Sequence, residues 1–204
     1  MKLQRLDTRT RQKQIVEAAL EIIHQHGLAK LTIKELAQKV CISEQAIYRH
    51  FENKLAILQA LLQYFSQSLH TELQNIQLKG NYLNGIRELI IRHLIFFAKH
   101  PSMAALVYPE EVFQTEPMIG SKVQETINTR ISFIAEIIAE AQNEGIIVRH
   151  IAPGNLALII FGSIRILVTQ WRFSGRSFDL VSKGKIMADD LIALIDMKSN
   201  IHST

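Results

Sequence analysis

Apolar residues recur along this chain at the three-and-four spacing of helix faces, and the pattern predicts an all-α protein of about nine helices. Ile15, Ala19, Ile22 and Ile23 form the inward face of a first helix, which stops at Gly27, a favourable residue for a helix C-terminus. Thr32 with Glu35 three residues on is a capping box; it opens a second helix that carries Ile33, Leu36, Ala37 and Val40 on one face. Cys41-Ile42 interrupts the pattern, and Ser43 is a good N-cap for a short third helix. That helix turns Ile47 and Phe51 inward and Glu44, Gln45, Tyr48 and Arg49 outward. Asn53 caps a fourth helix, expected from Lys54 to about Leu78, with Leu55, Leu58, Leu61, Leu62 and Phe65 as its buried stripe. It starts at the short helices and runs on beyond them, so it is expected to serve as a lever.

From Tyr82 the helices become longer and more apolar, which predicts a second domain. Asn84–Lys99 is apolar nearly all round, through Ile86, Leu89, Ile90, Ile91, Leu94, Ile95, Phe96 and Phe97, as in a helix buried on most sides. Met103–Met118, with Pro101 just before it and Pro109 and Pro117 within it, is expected to be irregular. Its Met103, Tyr108, Phe113 and Met118 either line an adaptable apolar pocket or pack as loop onto the core. Further helices are expected over Ser121–Glu144, from Pro153 to Phe173, and over Phe178–Met197. The last two carry more apolar surface than one monomer covers, which predicts a homodimer through 153–173 and 178–197. Arg165, set among Ile164, Ile166 and Leu167, needs a partner. That partner is either an acidic effector or a carboxylate at the dimer interface. Arg92 and His93 raise the same question, with Phe96, Phe97 and Phe133 as apolar candidates beside them. His93 and His100 are spaced too far apart for one metal and read as polar-edge residues, so no metal or cofactor is expected.

Two short helices joined by a tight turn, the second bearing outward polar and aromatic side chains, are the parts of a helix-turn-helix DNA reader. The residues that carry the pattern further are Gly27, Leu31-Thr32-Ile33, Leu36-Ala37, Ile42-Ser43, Ile47-Tyr48, His50-Phe51 and Lys54. In these the first third of the chain resembles the N-terminal DNA-binding domain of the TetR family of bacterial transcriptional regulators. Beyond it, helical layout and length agree. The family usually has glycine in the turn where this chain has Cys41. Glycine tolerates positive φ at low cost and cysteine does not, so some strain in the turn is expected. Without a second cysteine as resolving partner, Cys41 reads as a turn residue rather than a redox sensor.

Side-chain chemistry divides the reader. Lys34, Glu44, Gln45, Tyr48 and Arg49 suit base edges: Gln pairs with adenine, Arg with guanine, and Glu accepts from cytosine. Thr32, Ser43, His50, Lys54 and the Tyr48 hydroxyl suit phosphates, which set register rather than sequence. The resemblance implies the same division for Lys34, Glu44, Gln45, Tyr48, Arg49, His50 and Lys54. It also implies that the last two helices form a four-helix dimer interface.

Charge placement agrees. Of the 23 Lys and Arg and 19 Asp and Glu, ten and six lie in residues 1–54. The rest of the chain carries thirteen of each, so the whole net charge of +4 accompanies the reader. Residues 1–9 read as a basic arm, either solvated or reaching an adjacent groove. The single cysteine cannot staple the fold, which fits a reducing cytoplasm. The charged opening Met1–Lys13 does not resemble a secretory leader. The Leu156–Val168 stretch, interrupted by Arg165, is expected to be too short to cross a bilayer.

The sequence thus predicts a DNA-binding domain over 1–53 and a helical effector-binding and dimerisation domain over 54–204. The expected function is a repressor released from palindromic operator DNA by a small lipophilic effector. An activator or an effector-free regulator stays open, as does a helical interaction protein that uses the apolar C-terminal face. An enzyme would need a converging nucleophile, base or metal set, which the sequence does not offer.

Overall fold

The computed structural model describes residues 7–107 and 117–197. The described residues hold nine α-helices and a single isolated β-bridge, between Ile147 and Asp196. They divide into two compact units, Met1–Gln67 with Pro101–Val123 and Ser68–His100 with Gln124–Thr204. The first break falls inside the fourth helix rather than at its start, and Pro101–Val123 returns to the first unit.

In the first unit, α1 (Thr8–His26) begins earlier than a nine-residue arm allows. Asp7 caps it, accepting from the Thr10 amide at 3.0 Å and the Thr10 hydroxyl at 2.6 Å. Gly27, at φ 80°, ends it in a conformation that glycine reaches without strain. A 3-10 turn (Leu28–Lys30) leads to α2 (Ile33–Val40) and α3 (Glu44–Tyr48). Ile15, Ala19, Leu36 and Ile47 are buried together with Phe51, as the helical spacing predicts. α6 (Pro101–Val107) packs on α1. The prolines that suggested irregular chain here are helix starts: Pro101 opens α6 and Pro117 opens α7 (Pro117–Asn143). At the first helical position proline's missing N–H would have had no partner in any case. Pro109, Tyr108 and Phe113 lie outside the described residues.

α4 (Lys54–Leu73) ends before the expected Leu78. Asn75 adopts φ 64°, which a helix cannot continue through, and Arg92 of α5 (Tyr82–Lys99) satisfies the freed end. Its Nη1 donates to the carbonyls of Glu72 and Gln74 at 3.2 and 3.0 Å. In the second unit α5 packs against α8 (Pro153–Phe173) and α9 (Leu180–Ile195), which also touch each other. Asp179 caps α9 through the Val181 and Ser182 amides, so that helix starts two residues later than expected. Its far end is held by Val148 N–H to Ile195 O and Met197 N–H to Ile146 O, both 3.0 Å.

α8 is 21 residues long, so by length and composition alone it does suffice to cross a bilayer. Its physical setting is a bundle: Leu156, Ala157, Ile160, Ile164, Leu167, Val168 and Trp171 are buried in the protein. The opposite side leaves Leu158, Ile159, Ile166 and Phe173 exposed.

Candidate functional site

All nine residues expected at the DNA lie between Thr32 and Lys54, in the first unit. Three local caps set the backbone that presents them. Thr32 Oγ1 accepts from the Glu35 amide at 3.1 Å, the forward half of the capping box. Ser43 Oγ accepts from the Ala46 amide at 3.2 Å, and Asn53 Oδ1 from the Ala56 amide at 2.9 Å. Each hydroxyl so engaged keeps its own O–H to donate, as a phosphate oxygen requires. Lys34, Glu44, Gln45, Tyr48 and Arg49 are exposed, Tyr48 by 52%, while His50 and Lys54 are half-buried. His50 Nδ1 is enclosed and makes no hydrogen bond.

The turn between α2 and α3 is wound as a glycine turn would be, but on cysteine. Cys41 has φ 58° and ψ 44°. Its amide donates to Gln38 O at 3.2 Å and the Ile42 amide to Ala37 O at 2.9 Å, a nested pair that closes the helix end. Lys39 of α2 is engaged with Glu21 of α1 at 2.8 Å, and this contact holds the Glu21 carboxyl below its usual range.

The effector candidates are spread across both units. Met103 is buried in the first, and Met118 there is exposed. Arg92 is half-buried and engaged in structural bonds, including one to Glu88 of its own helix besides those to α4. Phe133 is half exposed, and Arg165 is half-buried on α8.

His93 corrects the polar-edge reading. It is only 4% exposed, on the apolar α5, with its ring edge-on to Phe161 of α8 at 6.4 Å between centroids. Its Nδ1 makes no hydrogen bond of good geometry. Burial lowers its pKa to about 3; the Arg130 charge adds to this and the Leu89 carbonyl opposes it. A neutral imidazole therefore sits inside the second unit at neutral pH. Phe96 and Phe97, packed edge-on at 5.4 Å, are buried on the same helix. Among the described residues no group of three or more His, Cys, Asp or Glu is arranged to hold a metal.

Residues 15–61 match the family model described as bacterial regulatory proteins, tetR family. Residues 58–195 match a second, described as the YsiA-like protein C-terminal region. The chain belongs to the TetR family. TetR relatives similar over nearly the full length include the probable acrEF/envCD operon repressor of Escherichia coli K12, 25% identical over 95% of this chain and 90% of that one. The fatty acid metabolism regulator protein of Bacillus subtilis 168 is 24% identical over 93% and 98%. Among solved TetR-type folds, the regulator FadR of Bacillus subtilis in complex with stearoyl-CoA superposes with a TM-score of 0.78. It is 24% identical, with 90% and 98% of the two chains covered. The protein is a DNA-binding transcriptional regulator and not an enzyme.

Proposed function

We propose that this TetR-family protein is a cytoplasmic repressor that binds a palindromic operator as a homodimer and releases it when a small lipophilic effector, with an acyl-CoA as first candidate, enters the second unit. The observation that carries this reading is the likeness, over 93% of the chain, to a fatty acid metabolism regulator. A neighbour in fold was solved with stearoyl-CoA bound. The interior of α5 supports it: a buried, neutral His93, near the Arg130 charge and on the same helix as the buried Phe96 and Phe97, sets few polar groups in mostly apolar surroundings, the composition of a lipophilic ligand site. His93, Phe96, Phe97 and Arg165 are the residues we assign to it.

DNA reading belongs to the first unit in this proposal. Lys34, Glu44, Gln45, Tyr48 and Arg49 address base edges, while Thr32, Ser43, His50 and Lys54 address phosphates. Dimerisation uses the exposed apolar side chains of α8 and α9, among them Leu158, Ile159, Ile166, Phe173, Ile186 and Leu194. Two readers spaced by one duplex turn, about 34–36 Å, then meet the two halves of a palindrome. The effector acts by linkage: it weakens operator binding by its preference for the unbound dimer geometry, and by no more.

The test is fluorescence anisotropy on a duplex enriched by the protein from random sequence, titrated with stearoyl-CoA and, as control, free CoA. Release by stearoyl-CoA alone, with weaker stearoyl-CoA binding once operator is present, supports the proposal. Equal acyl-CoA affinity with and without operator would sink it. A promoter-reporter measurement separates repression from activation.

A further inference from the structure

α3 is five residues long, too short to hold its own direction, so its orientation comes from tertiary contacts. Ile47 and Phe51 supply the apolar anchors. A polar contact joins them: Gln12 Nε2, near the start of α1, donates to the backbone carbonyl of His50 at 3.1 Å. The partners are 38 residues apart, so this bond ties α1 to the exit of the reader rather than closing a local turn. The amides of His50 and Phe51 both turn back to Ile47 O, at 2.9 and 3.0 Å. The His50 carbonyl therefore stands where one helix has ended and the next has not begun. A part-buried carbonyl in that position needs a donor from elsewhere in the protein.

We infer that Gln12 is a positioning residue for sequence reading, acting through the His50 carbonyl to fix the angle at which Gln45, Tyr48 and Arg49 meet the bases. Hydrogen bonds to base edges weaken steeply as their angle departs from linear. Phosphate contacts from long, mobile side chains such as Lys54 tolerate a small tilt. Loss of the Gln12 bond therefore falls on specific binding and spares non-specific binding. A merely structural bond would affect both alike, through the folded fraction.

Gln12→Met tests this, since it keeps length and neutrality and removes the donor. Anisotropy on the enriched duplex and on a scrambled one gives the ratio of specific to non-specific affinity. The expected fall is about fivefold for each reader engaged, the net worth of one ordinary hydrogen bond, with scrambled DNA bound as before. Gln25→Met, which removes the exposed bond from Gln25 to Glu21 on the same helix, leaves the ratio unchanged. Should Gln12→Met fail to fold, Gln12→Asn takes its place, retaining the amide but one methylene too short to reach. Equal losses on both duplexes, or an unchanged ratio in the folded variant, would overturn the assignment.

Discussion

Gly184 of α9 lies against Leu94 of α5 so closely that a β-carbon at residue 184 would fall 2.0 Å from Leu94 Cδ1 and 3.3 Å from its Cγ. Leu94 is fully buried, so its side chain can yield only by repacking against its neighbours. Glycine inside a helix costs roughly 1 kcal/mol relative to alanine. At this position the close approach of the two helices accounts for it. Gly184→Ala should therefore destabilise the second unit despite its better helix propensity. Overpacking at about 1–3 kcal/mol outweighs the propensity gain of roughly 1 kcal/mol, leaving a net loss of up to about 2 kcal/mol. Urea unfolding reads it; an unchanged or raised midpoint would mean that Leu94 finds another rotamer.

Cys41 makes the opposite prediction. It holds φ 58° between α2 and α3, and a left-handed residue other than glycine costs about 1–2 kcal/mol. The Sγ contact to Gln38 O, 3.6 Å long, returns little of that. Cys41→Gly should raise stability by about 0.5–1 kcal/mol after glycine's greater unfolded-state entropy is counted. Thermal melting should move up by ~1–4 °C, with operator affinity unchanged. A lower melting temperature would assign the cysteine side chain a packing role.

What the sequence made legible follows from distance along the chain. Thr32 with Glu35, Ser43 with Ala46 and Asn53 with Ala56 are pairs three residues apart, so each cap could be read from local spacing. The Cys41 conformation could be read the same way, from an αL position that wants glycine. The end of α4 could not, because it is set by Asn75 together with Arg92, eighteen residues beyond Gln74. Pro101 and Pro117 look alike whether they break a helix or begin one, and the packing of α6 on α1 decides the first case. His93 read as a polar edge because spacing on α5 does not reveal that α8 covers it. Gln12 carried no signal at all, since its partner is a backbone carbonyl and no side-chain pattern marks one.

His93 makes stability depend on pH. Its folded pKa, about 3, is below the unfolded value of 6.5, so the unfolded chain binds the extra proton between those limits. Stability from this group is complete above the unfolded value and falls as the pH drops, by about 1.4 kcal/mol per pH unit within the window. Between neutrality and pH 5 the loss is ~2 kcal/mol. His93→Leu, which buries an apolar group instead, should abolish that part of the dependence. Urea unfolding of both proteins at the two pH values checks it, and parallel acid losses would refute the assignment.

The exposed apolar side chains of α8 and α9 give a test of the proposed dimer. Ile166 is 56% exposed and Ile186 65% exposed. A charge on either would be buried without a partner if a second copy covers them. Ile166→Glu with Ile186→Glu should yield a folded monomer by light scattering, with operator affinity lost far more than binding to scrambled DNA. A dimer that survives both changes would move the interface elsewhere.

Lys54 and Gln45 separate the two kinds of DNA contact. Lys54, the first residue of α4, is assigned to a phosphate, and a neutralised phosphate adds about 0.9 to the magnitude of the slope of log affinity against log salt. Lys54→Ala should therefore weaken enriched and scrambled duplexes alike and flatten that slope, by ~1.8 if both readers of a dimer engage. Gln45, exposed on α3, is assigned to a base edge, where a bidentate contact to adenine is worth about 1–3 kcal/mol of discrimination. Gln45→Ala should leave the salt slope intact and relax preference at a single position of each half-site. Anisotropy across a salt series on single-base variants of the enriched duplex reads both effects. If Gln45→Ala lowered affinity evenly over all base variants, or Lys54→Ala changed base preference instead of slope, the division of the reader into base and phosphate contacts would have to be redrawn.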